Sequence, residues 1–490
     1  MSETIDLSGQ WQFVPDLGAP SAEYATPGYD RSDWESVPVP GCWNRYRECY
    51  ALYEGIGWYA RRFHSPRSGP AWLRFDGANY ETTPFLNGVA LGTHRGGGAG
   101  FTFATGDALR EGANELVVRV DNRRHRMHFP AVSGWFNYGG LHGDVRLLFT
   151  APEPRPAPPP RTRLHAGRLE VKGRPVFLRG INSLPLHPTA GSVQHPDWIE
   201  RDLELLQALH VNAIRCHLPP GDYLATRCDE LGILVLPEAP VYCLNMPGYG
   251  DRAGAEGEVY RDPEALALAK QMLGEMIADL RHHRRILGWG IGNECDSWRP
   301  EARPFFQALA DEARRLDPTR PVSYAALWFN PEDACYQIVD LLGINQYTGW
   351  NDLLDRPEEA RRLDLSGLET KLAAACEQTR QPILLTEFGA DAVPGYHAAE
   401  RPLWSEEYQA ELLCRTITLA RRFPRIAGTF PFLFNDYPDP SKPVNGRWNG
   451  LNLKGVVTEQ RDRKLAFDAL AALYAQIERE DADAGQEGNQ

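Results

Sequence analysis

Residues 263–293 read PEALALAKQMLGEMIADLRHHRRILGWGIGN, a stretch of helical period that leads into a short apolar run. The helical period over 263–283 predicts an α-helix, and the apolar run over 286–293 predicts a buried β-strand. The same alternation of short apolar runs and longer helical stretches recurs between residues 164 and 480. This alternation favours a parallel sheet that is covered by helices.

Eight apolar runs of this kind predict eight strands, at 176–181, 211–216, 233–239, 286–293, 322–326, 341–345, 383–388 and 426–432. Helical periods between and after them predict helices that include 197–210, 222–231, 404–422 and 464–479. Eight such units over about 250 to 300 residues are what a (β/α)8 or TIM barrel requires. We therefore predict a TIM barrel over residues 164–480 and a polar, disordered tail over residues 481–490.

The first 150 residues follow a period of two instead. Short alternating runs occur at 71–75 and 114–120, and turn signals such as Asn87-Gly88 separate them. This pattern predicts a jelly-roll-like β-sandwich over residues 1–150. Residues 151–163, APEPRPAPPPRTR, contain six prolines and predict an extended linker. The predicted fold class is thus multidomain, with a β-sandwich followed by a barrel.

Composition argues against several classes of partner and cofactor. The 490 residues carry 52 Lys and Arg against 65 Asp and Glu, a net charge of −13, which argues against a nucleic-acid partner. The nine cysteines are scattered and form no CxxC pair, so we expect a reducing compartment and no structural zinc. A basic segment followed by an apolar run is absent at the N-terminus, and no run of eighteen apolar residues occurs. We expect a cytoplasmic protein without a membrane partner.

Two predicted strands deliver a glutamate to the same end of the barrel. The fourth strand ends in Asn293-Glu294, and the seventh ends in Thr386-Glu387. A carboxylate after a buried strand costs several kcal/mol in desolvation unless it is well paired, so a functional pair is the better interpretation. Glycoside cleavage needs two such groups, one that donates a proton and one that attacks C1. This chemistry requires no cofactor.

The chain resembles glycoside hydrolase family 2, which contains β-galactosidases, β-glucuronidases and β-mannosidases. The resemblance covers nearly the whole sequence and is carried by motifs such as Trp135-Phe-Asn-Tyr-Gly-Gly-Leu-His142, Gly292-Asn-Glu294, Asn345-Gln-Tyr-Thr-Gly-Trp350 and Thr386-Glu-Phe-Gly389. The family usually has an immunoglobulin-like domain between sandwich and barrel, and the linker here leaves no room for it. The resemblance therefore implies a compact, two-domain glycosidase.

The resemblance also implies roles for individual residues. Glu294 corresponds to the general acid/base and Glu387 to the nucleophile, and a retaining mechanism places their carboxyl groups about 5 to 5.5 Å apart. Asn293 resembles the asparagine that binds the sugar 2-OH, and Tyr347 resembles the tyrosine that donates to the nucleophile. At the ends of strands two and three, His217 and Glu238 either contact sugar or orient Arg215. We expect Arg215 and Arg179 to pair with buried carboxylates.

Other fragments bear on the substrate, a β-glycoside. Asn452-Leu-Lys454 resembles the element with which β-glucuronidases bind the uronate carboxylate, and similar stretches occur in some galactosidases. An exo-acting β-glucuronidase is therefore favoured, with β-galactosidase or β-mannosidase as alternatives, and an endo-glycanase or a non-catalytic carbohydrate-binding protein behind them. Trp350 and Trp448 are expected to stack on sugar.

The sequence also bears on a possible metal site and on the oligomeric state. His282 and His283, adjacent on a predicted helix, should point apart, so we expect no metal site there. The number of copies in an assembly is left open.

Overall fold

The computed structural model describes residues 4–18, 22–125, 128–130, 136–153, 155–165, 167–171, 173–244, 258–358, 361–442 and 450–487. The chain divides into two compact units. The first comprises Met1–Ala131, Asn137–Arg155 and Pro185–His195, and the second comprises Val132–Phe136, Pro156–Leu184 and Pro196–Gln490. One passage from the first unit to the second falls between residues 155 and 156, within the proline-rich segment, and residues 185–195 belong again to the first unit.

The first unit is built from antiparallel strands: β1 Thr4–Asp6, β2 Gly9–Pro15, β3 Glu35–Val39, β4 Gly41–Cys42, β5 Ile56–Ser65, β6 Trp72–Phe75, β7 Ala78–Asn79, β8 Glu81–Leu86, β9 Val89–Ala90, β10 His94–Arg95, β11 Phe101–Ala104, β12 Gly112–Asp121, β13 Gly140–Leu141 and β14 Val145–Leu148. They form a seven-stranded sheet in the order β10-β8-β12-β5-β2-β3 with β9 beside β8, a four-stranded sheet β1-β14-β6-β11 and a three-stranded sheet β4-β13-β7.

Alternation of side chains explains the core of this unit. On β12, Leu116, Val118 and Val120 pack into one core, and Val117 on the other face of the strand is buried in a second cluster, as expected when successive side chains point to opposite faces. The first of these cores also contains Phe13 of the seven-stranded sheet and Phe75 of the four-stranded sheet. The first unit is therefore β-rich, as the period of two predicted.

The second unit opens with three short antiparallel strands, β15 Thr162–His165, β16 Arg168–Val171 and β17 Arg174–Pro175. Eight parallel strands follow: β18 Leu178–Ser183, β19 Ala213–Cys216, β20 Leu234–Pro237, β21 Trp289–Asn293, β22 Val322–Ala326, β23 Leu341–Asn345, β24 Ile383–Glu387 and β25 Ile426–Thr429. Their order is β20-β19-β18-β25-β24-β23-β22-β21. Parallel bridges Val235–Ile286 and Glu238–Gly290 join the two end strands. The TIM barrel is confirmed.

Helices alternate with these strands: α1 Pro196–Ala208, α2 Asp222–Leu231, α3 Glu258–Arg261, α4 Pro263–Leu280, α5 Ala302–Leu316, α6 Asn351–Leu354, α7 Ser366–Gln378, α8 Glu406–Ala420 and α9 Leu465–Glu487. Side-chain caps begin two of them, because Asp262 accepts from the first turn of α4 and Ser405 from that of α8. After β25, the short strands β26 Tyr437–Pro438 and β27 Leu451–Asn452 pair antiparallel. Among the helices of the described ranges, none has the length and apolarity needed to cross a membrane.

Several predicted boundaries differ from the structure by two or more residues, and two of these differences change where side chains lie. Helix α4 ends at Leu280 rather than at residue 283, so His282 and His283 lie in the turn that follows it. Helix α9 continues to Glu487, whereas disorder was expected from residue 481. Arg421, the residue after α8, contacts Glu480 at 2.6 Å and Asp481 at 3.6 Å. These ion pairs hold the polar end of α9 against α8, an interaction that composition alone does not indicate.

Candidate active site

Polar side chains collect at the carboxyl ends of the barrel strands, where TIM-barrel enzymes place their active sites. Glu387 is the last residue of β24, and Glu294 directly follows β21. Both are buried, with exposed fractions of 4% and 9%. A hydrogen-bonded network through Asn345, Asn293 and Arg215 connects them. The structure thus brings together the two carboxyl groups that the sequence singled out.

The backbone at Glu294 is irregular. Its φ of 51° is left-handed, a conformation that costs a non-glycine residue about 1–3 kcal/mol and that clusters at functional sites. Its N–H donates to the carbonyl oxygen of Ala325 in β22 at 2.9 Å. The register of β21 against β22 shifts between Gly290 and Asn293. The strand therefore ends in a fixed turn that carries the carboxyl group.

The surroundings of Glu294 favour its protonated form. Burial raises the pKa of Glu294 to about 8, and the negative charge of Glu387 adds to this effect. A hydrogen bond from Asn345 Nδ2 to Glu294 Oε1, 2.8 Å long, and the charge of Arg215 oppose the shift. Because burial and like charge prevail, Glu294 holds a proton near neutral pH and can donate it to a leaving group.

Glu387 has the opposite surroundings. Its Oε1 accepts a hydrogen bond of 2.8 Å from Arg215 Nη1, and its Oε2 accepts one of 2.8 Å from the hydroxyl of Tyr347. Charged and hydroxyl donors of this kind stabilise a carboxylate. The register of β23 against β24 shifts so that Asn345 lies opposite Glu387. Each carboxyl group thus has the environment that its predicted role requires.

Arg215 is the hub of the network. The side chain is fully buried, and its Nε and Nη2 donate to the two oxygens of Glu238 at 2.8 and 2.9 Å. Nη2 also donates to Asn293 Oδ1 at 2.7 Å, and Nη1 to Asn182 Oδ1 at 2.8 Å. Burial would lower the pKa of Arg215, but Glu238 and Glu387 together raise it above its ordinary value. The prediction that Arg215 pairs with buried carboxylates is confirmed.

Glu238 and His217 act beside this hub. Burial raises the pKa of Glu238, but Arg215 and His217 outweigh burial and hold that pKa below its ordinary value. His217 Nδ1 lies 3.2 Å from Glu238 Oε2, and its Nε2 lies 3.5 Å from Glu387 Oε1. Of the two roles that the sequence left open, the contacts of Glu238 are those of a residue that orients Arg215. A Cβ at Gly290 would collide with the Glu238 side chain, which explains the glycine there.

Asn293 and Asn345 form an amide pair between the carboxyl groups. Asn293 Oδ1 accepts from Arg215 and from Asn345 Nδ2, at 2.7 and 3.2 Å. Its oxygen is therefore held, and its NH2 group is what it can offer to a sugar hydroxyl. Asn345 received no role from the sequence. Its position at the end of β23, where strand ends meet, is the signal that would have identified it.

Lys454 lies next to Tyr347, the residue that donates to Glu387. Its Nζ is 2.8 Å from Asp391 Oδ2 and 5.8 Å from the ring centroid of Tyr347. The sequence missed Asp391, the fourth residue after Glu387. Asn452 Oδ1 accepts from the backbone N–H of Lys454 at 3.2 Å, so the amide side chain fixes the loop that carries the lysine.

A second lysine shares this region with Lys454. Burial raises the pKa of Asp391, but the charges of Lys454 and Lys442 together hold it below its ordinary value. Burial and the charge of Lys454 lower the pKa of Lys442. Two ammonium groups therefore act on the buried Asp391 carboxylate, and Asp439 also acts on Lys442.

The predicted stacking residues differ in outcome. Trp350 is only 1% exposed, packs edge-to-face on Trp404 at 5.4 Å, and lies 5.7 Å from Lys454 Nζ. The expectation that Trp350 stacks on sugar is wrong, because its buried ring packs against Trp404 and Lys454. Trp448 lies outside the described residues. An exposed aromatic surface occurs instead at Trp328, which is 43% exposed and stacks on Trp298 at 5.0 Å.

Arg179 lies away from this network. Its Nη2 is 2.7 Å from Glu478 Oε1, a half-exposed carboxylate of α9. Its partner is therefore on the barrel surface, and the expectation of a buried partner is wrong for Arg179. The arginine joins the first barrel strand to the last helix.

A TIM barrel with one buried carboxyl group of raised pKa and a second one held by arginine and tyrosine has the constellation of a glycoside hydrolase. The family model described as glycosyl hydrolases family 2, TIM barrel domain, matches residues 162–479. The chain therefore belongs to glycosyl hydrolases family 2.

Related sequences agree with this assignment. The chain is 26% identical to a β-glucuronidase of Paenibacillus borealis over 97% of both chains. It is 28% identical to the β-glucuronidase of Rattus norvegicus over 63% of this chain and 46% of that protein. The chain thus matches the whole bacterial relative but about half of the mammalian one.

Solved structures show the same fold. A β-glucuronidase from Ruminococcus gnavus superposes with a TM-score of 0.86 at 20% identity, over 96% of this chain and 97% of that one. A family 2 β-galacturonidase from Eisenbergiella tayi bound to galacturonate superposes with a TM-score of 0.81 at 23% identity, also over 96% and 97%.

Proposed function

We propose that this enzyme is a retaining exo-β-glycosidase that hydrolyses terminal β-glucuronides. The observation that carries the reaction is the contrast between Glu294, with its raised pKa, and Glu387, with its two donors. Two carboxyl groups whose environments differ in this way match the division between acid and nucleophile.

In the first half of the reaction, Glu387 attacks the anomeric carbon and Glu294 gives its proton to the departing oxygen. The bond from C1 to the aglycone breaks, the aglycone leaves as an alcohol, and the sugar becomes an ester of Glu387. Arg215 and Tyr347 hold the attacking carboxylate in place. The NH2 group of Asn293 is positioned for a sugar hydroxyl, a contact that strengthens as charge develops at C1.

In the second half, water attacks C1 and Glu294 takes its proton. Formation of the ester removes the negative charge of Glu387, one of the causes that raise the pKa of Glu294. The pKa of Glu294 then falls, and the same group can act as a base. The ester bond breaks, Glu387 is released as a carboxylate, and two inversions give net retention.

The lysine region supports a uronic acid as the sugar. Lys454 lies beside Tyr347 and Lys442 acts on the same Asp391 carboxylate, and a lysine ammonium group is a suitable partner for a sugar carboxylate. The β-glucuronidase names of the related sequences support the same choice. β-Galactosidase is the alternative.

A panel of nitrophenyl β-glycosides tests this proposal. We expect kcat/KM for the glucuronide to exceed those for the galactoside, mannoside and glucoside by about 100-fold or more, the scale of one desolvated charge pair. A Glu294→Gln variant controls for contaminating glycosidases, because it keeps the shape of the side chain. A preference for the galactoside would contradict the choice of sugar and leave the two-carboxylate mechanism standing.

The proposal also covers the role of the first unit and the cellular compartment of the enzyme. We assign the first unit a jelly-roll-like sandwich that binds carbohydrate, supported by the core shared between two of its sheets. The nine cysteines are free thiols, which supports a reducing, cytoplasmic compartment.

A further inference from the structure

Two adjacent histidines and an aspartate converge on the outside of the barrel. His282 and His283 follow helix α4, and Asp222 is the first residue of α2. Because α4 ends at Leu280, the two histidines are free of the helical geometry that would turn them apart. Their ring centroids are 3.9 Å apart, with 42° between the planes.

The spacing of the three groups fits a metal ion. His282 Nε2 is 3.1 Å and His283 Nε2 is 3.2 Å from the same oxygen, Asp222 Oδ1. One possible ligand atom from each of the three residues lies within 4.8 Å of the other two. Tetrahedral zinc with bonds of about 2.0–2.1 Å places neighbouring ligand atoms about 3.3 Å apart. The observed separations from Asp222 are close to that edge length.

A contact with Asp229 orients the ring of His283, one of the three groups. His283 Nδ1 lies 3.4 Å from Asp229 Oδ2, and the backbone N–H groups of Arg284 and Arg285 donate to the Asp229 carboxylate at 3.1 and 2.7 Å. A carboxylate behind a histidine is the usual second contact of a metal-binding imidazole, and it orients the ring. The Nε2 atom of His283 faces Asp222 Oδ1.

We propose that Asp222, His282 and His283 bind one first-row transition-metal ion, with zinc as the ion of choice. Two imidazoles and a carboxylate suit zinc, cobalt, nickel and copper better than magnesium or calcium, and water completes the coordination. The ion ties the start of α2 to the turn after α4. Its effect is on stability, because the site uses none of the residues of the carboxylate network.

Titration of metal-stripped, untagged full-length protein with zinc chloride tests the site. We expect one ion per chain, and binding weaker by at least about tenfold in His282→Gln and Asp222→Asn, since even the loss of a supporting contact costs that much. Both variants keep His283 and its contact with Asp229, and both sites of change are partly exposed, so the fold is retained. His397→Gln, at a second surface His–carboxylate pair of 2.9 Å with Glu407, is the matched control and should bind as the parent does.

Cobalt and thermal unfolding supply readouts that do not depend on catalysis. Cobalt should give visible d–d bands without a thiolate charge-transfer band, and zinc should raise the Tm of the parent but not of His282→Gln. Equal zinc affinity in the parent and both variants would overturn the proposal. A thiolate band would also overturn it, because it would assign the ion to one of the nine cysteines.

Discussion

The hydroxyl of Tyr347 donates to Glu387 Oε2 at 2.8 Å, on the carboxylate oxygen that Arg215 does not contact. The tyrosine therefore restricts the rotation of the nucleophile about its last bond and stabilises its charge. Burial, together with the charges of Glu387 and Glu294, holds the pKa of Tyr347 well above its ordinary value, so the phenol stays a donor.

Tyr347→Phe should lower kcat by about 100-fold, the usual effect of removing one such donor from an active site. The aromatic ring is retained, so the packing against Phe432 and Lys454 is preserved. Steady-state kinetics on the best nitrophenyl glycoside measure the effect, and an unchanged Tm verifies the fold. A variant with full activity would show that Tyr347 does not assist Glu387.

Azide should distinguish the roles of the two glutamates. In Glu294→Ala, Glu387 still attacks an activated aryl glycoside, and azide then displaces the ester to give a β-glycosyl azide and restore turnover. In Glu387→Ala, azide attacks the substrate directly and gives the α-product. Nuclear magnetic resonance of the isolated azides identifies the anomers, and the reverse pattern would exchange the two roles.

The pH dependence of kcat/KM should have its alkaline limit set by Glu294. The acid form is the active one, and its pKa of about 8 means that activity falls tenfold per pH unit above that value. Glu294→Ala, assayed with an activated leaving group that needs no proton, should lose this limb. A limb that persists unchanged in the variant belongs to another group.

The same ionisation affects stability. The pKa of Glu294 is higher in the folded state than the ordinary 4.5, so its contribution is fully present below about pH 4.5 and is lost as the pH rises through 8. The Tm of the parent relative to that of Glu294→Gln should therefore decrease between pH 5 and pH 9. Calorimetry at the two pH values measures it, and a constant difference would mean that burial does not act on this carboxyl group.

Lys454 should discriminate between substrates. Lys454→Met keeps the length of the side chain and removes the charge. We expect kcat/KM for the glucuronide to fall by about 100-fold, the scale of one buried charge pair. We expect kcat/KM for a neutral glycoside to change by less than about threefold, because that substrate has no carboxylate for the lysine to bind. Activity on the neutral glycoside thus serves as the folding control for this variant. Equal losses on both substrates would assign Lys454 to the packing of Asp391 alone.

The sequence predicted the barrel and the convergence of the two glutamates because both follow from local pattern. Strands 322–326 and 341–345 have the predicted bounds, since apolar runs between helices leave little choice of register. The glutamates were found because parallel strands end on one face. Asn345 ends β23 and carries the same signal, although no role was predicted for it. Asp391 lies four residues beyond the end of β24, where strand ends give no signal, and so it was missed.

Other features depend on contacts between distant segments. The burial of Trp350 depends on Trp404, fifty-four positions further along the chain. The convergence of His282 and His283 depends on a helix that ends three residues before its period does. Helix period and composition contain neither piece of information.

The most direct test of the mechanism is to trap the covalent intermediate. A 2-deoxy-2-fluoro-β-glucuronyl fluoride slows the second half of the reaction more than the first, so the sugar ester accumulates on the nucleophile. Mass spectrometry of the digested protein should locate one fluorosugar on Glu387, and the Glu387→Gln variant should carry none. Labelling of a different residue, or inactivation without a covalent sugar, would contradict the account.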